Sequence, residues 1–432
     1  MSAVDIAVVA DDLSGAAESA AAGLLRVSRN TVLLSGGASE PADCPDDGPG
    51  NTDDAPRMTT VDTHTRQLDA HAAAEELRRA ARLTRDARLV VKKVDSLLRG
   101  NIGPEVAALS QALCRTPVIA PSLPRLDRVV RGGVLRVDGL PLHQSGHWHL
   151  EPRPAPQNVA ETLAPLPTTE IPQAVVDAGV AQVARALRAA EADGLVPVCD
   201  ADDDASLAVI AQAARQVWER PLLVGSASMV GAALAALDEE SSSTLSAHPN
   251  SHADRGAAPA DGPQVGGAAS ALVVVGTRAH SIASQLDQLA PDTAYQLIVD
   301  PDELLMAPEG VRRHLDGLPS KGLSVVALDP TATVEASRSG ALVRVLAEVV
   351  APHLPTFPAV VATGGETARA LLDAVGVDRL EVIAELEPGA VATRTPHGQI
   401  FVTRPGSFGG PGSLLHITRR LLDSGATQEE NP

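Results

Sequence analysis

Two adjacent acids, Asp11 and Asp12, end the apolar run IAVVA and open the alanine-rich stretch LSGAAESAAAGLL. One acid at that position serves as a helix N-cap. A cap needs a single side chain, so the other is left to accept a proton or to hold a metal-bound phosphate. A second cluster stands in VVKKVDSLLRGNIGPE, where Lys92, Lys93, Asp95, Ser96, Arg99 and Asn101 fall within a few residues of Gly100 and Gly103. Lysine occurs elsewhere only at Lys321. A compact ammonium serves a phosphoryl group or a carboxylate as a point charge, which a guanidinium fork does not replace. Successive strand residues face opposite ways, so at most one of Lys92 and Lys93 points into a given pocket. The plainer reading of this cluster is a solvated strand end carrying an ion pair. In VDTHTRQLD, Thr63, Thr65 and Arg66 add hydroxyls and a fork suited to an acid group, a weaker signal on its own.

The second half carries glycine at the corresponding positions. Gly276 and Thr277 follow ALVVV, the group Gly364, Gly365, Glu366 and Thr367 follows PAVVA, and Gly406, Gly409 and Gly410 follow GQIFV. Amides at a helix N-terminus bind anions, and glycine lets phosphate oxygens approach the main chain. Three such turns point to a nucleotide phosphate site, although neither the Walker A pattern nor the G-x-G-x-x-G fingerprint is present. Glu366 reads equally as a first-turn helix acid or as a partner for a ribose hydroxyl or a magnesium-bound water. His143, His147 and His149 lack the spacing of a zinc site, and GSASMVG lacks the order of a nucleophile elbow. No metal site of the protein's own is expected.

These residues need strands to end beside one another. Short Val/Ile/Leu runs alternate with Ala/Leu/Arg helical patterns, as in RLVVKKVDS followed by GPEVAALSQAL, which predicts an α/β protein with mostly parallel sheets flanked by helices. RGGVLRVDGLPLH alternates with period two about Asp138 and Gly139 and reads as a hairpin. Between residues 239 and 268 the chain becomes Ser/Pro/Gly/Ala-rich without apolar periodicity and reads as a flexible linker. The expected organisation is therefore an N-terminal domain over 1–238 with a surface insertion at 39–57, the linker over 239–268, and a C-terminal domain over 269–432. Its 432 residues, 44% of them hydrophobic, suffice for two cores. A net charge of -19 and an aromatic content of 1% argue against nucleic acid or an anionic membrane as partner. Three unpaired cysteines and the absence of a leader or spanning segment fit a cytoplasmic protein. The oligomeric state stays open, with a homodimer as one outcome.

Taken in order, VVADDLSGAAESA, KKVDSLLRGNIGPE, APSLPRLDRVVRGGVLRVDGLPLH, GSASM, VVVGTRAHS, TGGETARAL and RPGSFGGPGSL resemble the motifs of the four-carbon acid sugar kinase family, from residue 4 to about 420. The resemblance implies an N-terminal domain for a tetronate, threonate or 3-oxo-tetronate, a C-terminal domain for ATP with its Mg2+, and phosphorylation of the terminal hydroxyl. It places Asp11, Asp12, Lys93, Asp95, Ser96 and Arg99 around the acid; the strand-end motifs add Arg66, Lys92 and Asn101 to that set, and Asp12, Lys93 and Asp95 are the expected catalytic residues. Gly276, Thr277, Gly364, Gly365, Glu366, Thr367, Gly406, Gly409 and Gly410 fall to the nucleotide. In this arrangement Asp12 receives or orients the hydroxyl proton and Asp11 caps the helix or contacts magnesium. The chain departs from the family pattern at Ala16, Ala17 and Glu18, at Leu150, Glu151 and Pro152, and at Arg404, where lysine is common. A kinase-like regulatory protein without turnover is the alternative, and a dinucleotide-dependent oxidoreductase rests on the α/β plan alone.

Overall fold

The structure is a computed structural model and describes residues 5–36, 57–148, 153–245, 265–277, 279, 281–335, 338–406 and 408–423. Most of the 39–57 insertion, the 246–264 part of the linker, and His149, Leu150, Glu151 and Pro152 lie outside the described residues. Two compact units divide the chain, Met1–Gly256 and Ala257–Pro432.

In the first unit the chain runs through β1 (Ile6–Ala10), α1 (Leu13–Ala21), β2 (Arg29–Leu34), β3 (Arg57–Asp62), α2 (Ala70–Thr84), β4 (Leu89–Lys93), α3 (Ile102–Leu113) and β5 (Pro117–Ala120). A three-stranded antiparallel sheet follows, β6 (Arg128–Arg131), β7 (Val134–Val137) and β8 (Leu140–Pro141). Asp138 and Gly139, both with positive φ, turn β7 into β8 as their sequence predicts, and Gly132 and Gly133 do the same one strand earlier. The hairpin is thus extended to a meander. The unit closes with α4 (Val159–Thr162), β9 (Thr168–Ile171), α5 (Gln173–Asp177), α6 (Val180–Ala192), β10 (Val196–Cys199), α7 (Asp204–Val217), β11 (Leu222–Gly225) and α8 (Ala227–Leu245). Helix α8 runs seven residues into the stretch read as linker.

Within this unit the large sheet has the order β2-β3-β1-β4-β11-β5-β10-β9, and every pairing in it is parallel. Both faces are covered, which is why its strands read as continuous apolar runs instead of alternating ones. Ile6 and Val8 pack with Met58, Leu89 and Val91 beneath Leu207, Ile210 and Met229 of α7 and α8. Ala7 and Val9 turn the other way, to Val61, Val90, Leu77, Ala80 and Leu109 of α2 and α3. The same alternation sends Lys92 toward α3 and Lys93 toward α1.

The second unit contains β12 (Ser270–Val275), α9 (Ser281–Leu289), β13 (Thr293–Val299), α10 (Pro301–Met306), α11 (Pro308–Leu315), β14 (Gly322–Leu328), α12 (Ser339–Val350), β15 (Ala359–Thr363), α13 (Gly365–Ala374), β16 (Arg379–Glu387), β17 (Ala390–Arg394), β18 (Ile400–Arg404) and α14 (Ser413–Leu422). Its strands lie in the order β13-β14-β12-β15-β18-β17-β16, parallel except where β17 runs against both neighbours. One face packs on Ile282, Leu286 and Leu289 of α9 and Leu414, Ile417 and Leu421 of α14. No helix among the described residues is long and apolar enough to cross a membrane.

Candidate active site

Strand register brings the acid and lysine motifs together. Ala10 pairs with Asp62 on one side and Lys93 on the other, Lys93 with Gly225, and Gly225 with Ala120. The loops that follow β1, β3, β4, β11 and β5 therefore leave the sheet at one level, at the carboxyl edge where open parallel sheets bind ligands.

The main chain joins the first two loops, since the Thr65 and Arg66 amides donate to Asp11 O at 3.0 and 3.3 Å. The Arg66 side chain then folds back over both acids. Its Nε and Nη2 donate to Asp11 at 2.8 and 3.0 Å, while Nη1 and Nη2 donate to Asp12, both at 3.0 Å. Nη2 also stands 3.7 Å from Asp95 Oδ1. Arg99 grips Asp95 with Nε at 2.8 Å and Nη2 at 2.6 Å, and the Leu97 amide donates to the same carboxylate at 3.0 Å. Burial alone would raise Asp11 and Asp95. Arg66, Lys92 and Lys93 instead hold Asp11 below the usual carboxylate range, and Arg99, Arg66 and Lys93 do the same for Asp95. The cluster is a compact array of fixed charges at the sheet edge.

The helix cap falls to Asp12, whose Oδ1 accepts from the Gly15 amide at 3.0 Å. This corrects the assignment of the cap to Asp11, which spends both carboxylate oxygens on Arg66. Neither acid is left over after capping. Lys93 lies against the same turn, because a Cβ on Gly15 would stand 2.8 Å from Lys93 Nζ and 2.7 Å from Asp12 Oδ1. A side chain at position 15 would displace the ends of both side chains from this turn.

Lys92 goes elsewhere. It is fully buried, 2.8 Å from Glu105 Oε2 of α3, with Nζ also donating to Lys93 O at 3.0 Å. Burial raises Glu105, partly offset by Lys92. Lys92→Met leaves Glu105 as a lone buried charge and is expected to cost about 3–5 kcal/mol in denaturant unfolding, most of it restored in Lys92→Met/Glu105→Leu. A single variant as stable as wild type contradicts the pairing.

Asn101 stands at the start of α3 but caps nothing with its side chain; Nδ2 ties Leu68 O at 2.7 Å and Thr65 O at 3.3 Å. Ser96 accepts from Arg128 of β6. Sequence reasoning missed both Glu105 and Arg128 as members of this cluster. Glu105 carried the signal of an acid in the first turn of a helix after the lysine pair, whereas Arg128 reaches Ser96 only through tertiary packing.

In the second unit, β12 pairs with β15 and β15 with β18, so Gly276, Gly364 and Gly406 emerge side by side. The Gly364 amide donates to Arg404 O at 2.8 Å, and its φ of 93° suits glycine. Helix α13 starts at Gly365, so the amides of Gly365, Glu366 and Thr367 open its first turn. Gly276, Thr277, Gly364, Gly365, Glu366 and Thr367 line a cavity of about 260 Å3 whose remaining walls are Leu328, Ser339, Leu342 and Val343. One side is amide-rich and the other apolar, a combination suited to phosphates and an aromatic base. Gly406, Gly409 and Gly410 all stand outside this lining, although Gly406 packs on Thr277, which belongs to it. Arg404 is buried beneath the last turn, donating to Gln285 Oε1 at 2.7 Å and to Phe408 O. Burial pushes its guanidinium down to about 10, with Glu387 opposing. It supports the loop from within.

Ala substituted at Gly276 would drive a methyl into the Thr367 side chain at the mouth of α13. Gly276→Ala is expected to weaken nucleotide binding about tenfold or more by calorimetry, given the usual cost of overpacking. Unchanged affinity contradicts the assignment of this cavity to a nucleotide.

Fold and sites together define a two-unit phosphotransferase, a sugar-binding unit followed by a nucleotide-binding one. Residues 6–233 match the family described as the sugar-binding N-terminal domain, and residues 272–414 match the nucleotide-binding C-terminal domain. The chain belongs to the four-carbon acid sugar kinase family, whose members phosphorylate a hydroxyl. It is 28% identical to a D-threonate kinase of Cupriavidus necator, covering 97% of this chain and 98% of that one. A 3-oxo-tetronate kinase of Methylobacterium radiotolerans is also 28% identical, over 93% and 96%. Among solved structures, a Salmonella typhimurium LT2 protein described as a tRNA synthase superposes with a TM-score of 0.73 at 20% identity, covering 98% and 100% of the chains. Haemophilus influenzae HI1011 follows with a TM-score of 0.67 at 18% identity, over 96% and 100%. These two share the fold.

Proposed function

We propose that this protein transfers the terminal phosphoryl group of ATP, supplied as its magnesium complex, to the terminal hydroxyl of a four-carbon sugar acid of the threonate, erythronate or 3-oxo-tetronate type. The observation that carries the reading is the Arg66 clamp over Asp11 and Asp12 at the carboxyl edge of the first sheet. Phosphoryl transfer asks a protein mainly for alignment, charge neutralisation and a place for the acceptor's proton. Asp12 is the group that orients the hydroxyl and takes its proton. Its side chain is 12% exposed against 3% for Asp11, so it is the acid that an incoming hydroxyl reaches. Lys93 and Arg99, beside Asp12 and Asp95, neutralise negative charge on the acceptor side.

On the donor side, the amides opening α13 and the glycine turns after β12 and β15 suit the nucleotide phosphates, and Leu328, Leu342 and Val343 suit the base. Magnesium arrives with the nucleotide. Among the described residues no group of three or more His, Cys, Asp or Glu side chains could hold a metal ion. A coupled ADP-release assay over threonate, erythronate and 3-oxo-tetronate, run beside a nicotinamide absorbance assay, tests the reading. Acid-dependent ADP release is the expected result. ATP binding without consumption across the panel would leave a regulatory protein, and nicotinamide turnover an oxidoreductase.

A further inference from the structure

Arg128 is the first residue of β6, and its backbone is held by reciprocal hydrogen bonds with Leu123 and by the register of β6 on β7. Its guanidinium reaches the acid cluster, where Nη1 donates to the Ser96 hydroxyl. Nε is buried and meets no acceptor among the described residues. The other two arginines here are fully engaged: Arg66 lies on Asp11 and Asp12, Arg99 on Asp95. Arg128 has no carboxylate at ion-pair distance among the described residues, and burial, with the charge of nearby Arg99, pushes its guanidinium below the ordinary value while Asp95, Glu18 and Asp138 oppose.

Charges in the cluster make the same point. Asp11, Asp12 and Asp95 are matched by Arg66, Arg99 and Lys93, and Lys92 is matched by Glu105. Arg128 makes no ion pair with any of these carboxylates among the described residues, although Asp95, Glu18 and Asp138 lie near enough to favour its charge. A partly buried cation whose only hydrogen-bond partner among the described residues is a neutral hydroxyl costs free energy until an anion reaches it.

We propose that Arg128 receives the carboxylate of the sugar acid, and that it is the residue by which this site distinguishes an acid from the neutral polyol of the same length. The inference rests on the reading given under Proposed function. A carboxylate is a planar two-oxygen anion, and a guanidinium that turns its unsatisfied Nε edge toward the ligand fits it in a paired geometry. Orientation follows from repulsion, because a substrate entering the other way round would set its carboxylate against Asp11 and Asp12. With the charged end on Arg128, the end offered to Asp12 is a hydroxyl.

Steady-state kinetics on wild type, Arg128→Met and Arg128→Lys, with four-carbon aldonic acids and the corresponding four-carbon polyols as acceptors, test this. Arg128→Met is expected to raise KM for the acid about 100-fold, as for one partner lost from a buried charge pair, and to narrow the preference for acid over polyol by a similar factor. KM for ATP stays in place, and Arg128→Lys recovers part of the affinity for the acid because it restores charge without the fork. Retention of the acid-over-polyol preference in Arg128→Met, by an enzyme whose wild type phosphorylates the acids, overturns the inference alone. Wild type that phosphorylates no acid overturns the functional reading and the inference together. If Arg128→Met does not fold, phenylglyoxal modification of the wild type read by peptide mass spectrometry decides: the acid is expected to protect Arg128 and the polyol is not. Equal modification in both overturns the proposal.

Discussion

Arg66→Met is expected to lower the unfolding free energy by about 3–5 kcal/mol and to abolish turnover, the cost usual for removing one partner of a buried charge network. Arg66 makes all four hydrogen bonds that hold Asp11 and Asp12 side by side, and without it Asp11, Asp12 and Asp95 are left crowded around Lys93 and Arg99. The effect has a pH signature. In wild type Asp11 and Asp95 titrate below their unfolded values, so their stabilisation is present above about pH 4 and is lost as the pH falls through the folded values. In Arg66→Met the acids lose much of the cation that depresses them, so the penalty is expected to shrink between pH 7 and pH 5 as protonation relieves their repulsion. Urea unfolding of both proteins at the two pH values reads this directly. Arg66→Lys should fall between them, since an ammonium cannot reproduce the paired geometry. A variant within 1 kcal/mol of wild type at pH 7, the range usual for exposed pairs, contradicts the clamp.

Asp12→Asn carries the second large effect, a fall in kcat of roughly a hundredfold or more, the size expected for loss of a general base. Asparagine caps a helix about as well as aspartate, so the bond from the Gly15 amide to Oδ1 survives and folding is largely preserved. What disappears is the charge proposed to take the hydroxyl proton. Nucleotide affinity, which the proposed function assigns to the glycine turns after β12 and β15, is expected to stay where it was. Asp11→Asn is the informative control. Asp11 is the deeper acid with both oxygens on Arg66, so its replacement should appear first as lost stability. Undiminished turnover in Asp12→Asn removes Asp12 from the mechanism.

Much of this arrangement was legible in the residues themselves. Apolar runs covered on both faces announced parallel sheets, and motifs at strand ends announced a common edge, because parallel strands in register must end together. Of the three glycine turns expected to form one site, those after β12 and β15 share a cavity and the one after β18 does not line it. What the sequence hid were the partnerships made across the fold. Nothing local in VDTHTRQLD says that Arg66 would bridge two acids 54 and 55 residues earlier. The alternation of a strand shows that Lys92 and Lys93 diverge but not which one meets Glu105. The choice of cap was hidden for a related reason: either acid can turn onto the helix, and the one that does is decided by Arg66 engaging both oxygens of the other.

The central claim is that the acids clamped at the carboxyl edge of the first sheet direct phosphate onto a hydroxyl of a sugar acid. The most direct measurement is phosphorus-proton correlation NMR on the product formed by wild-type protein from ATP and threonate or erythronate. The account predicts a single phosphate ester whose phosphorus couples to the two protons of the terminal carbon. A phosphate on an internal carbon or on the carboxylate, or no phosphorylated acid from protein that binds ATP, would contradict it.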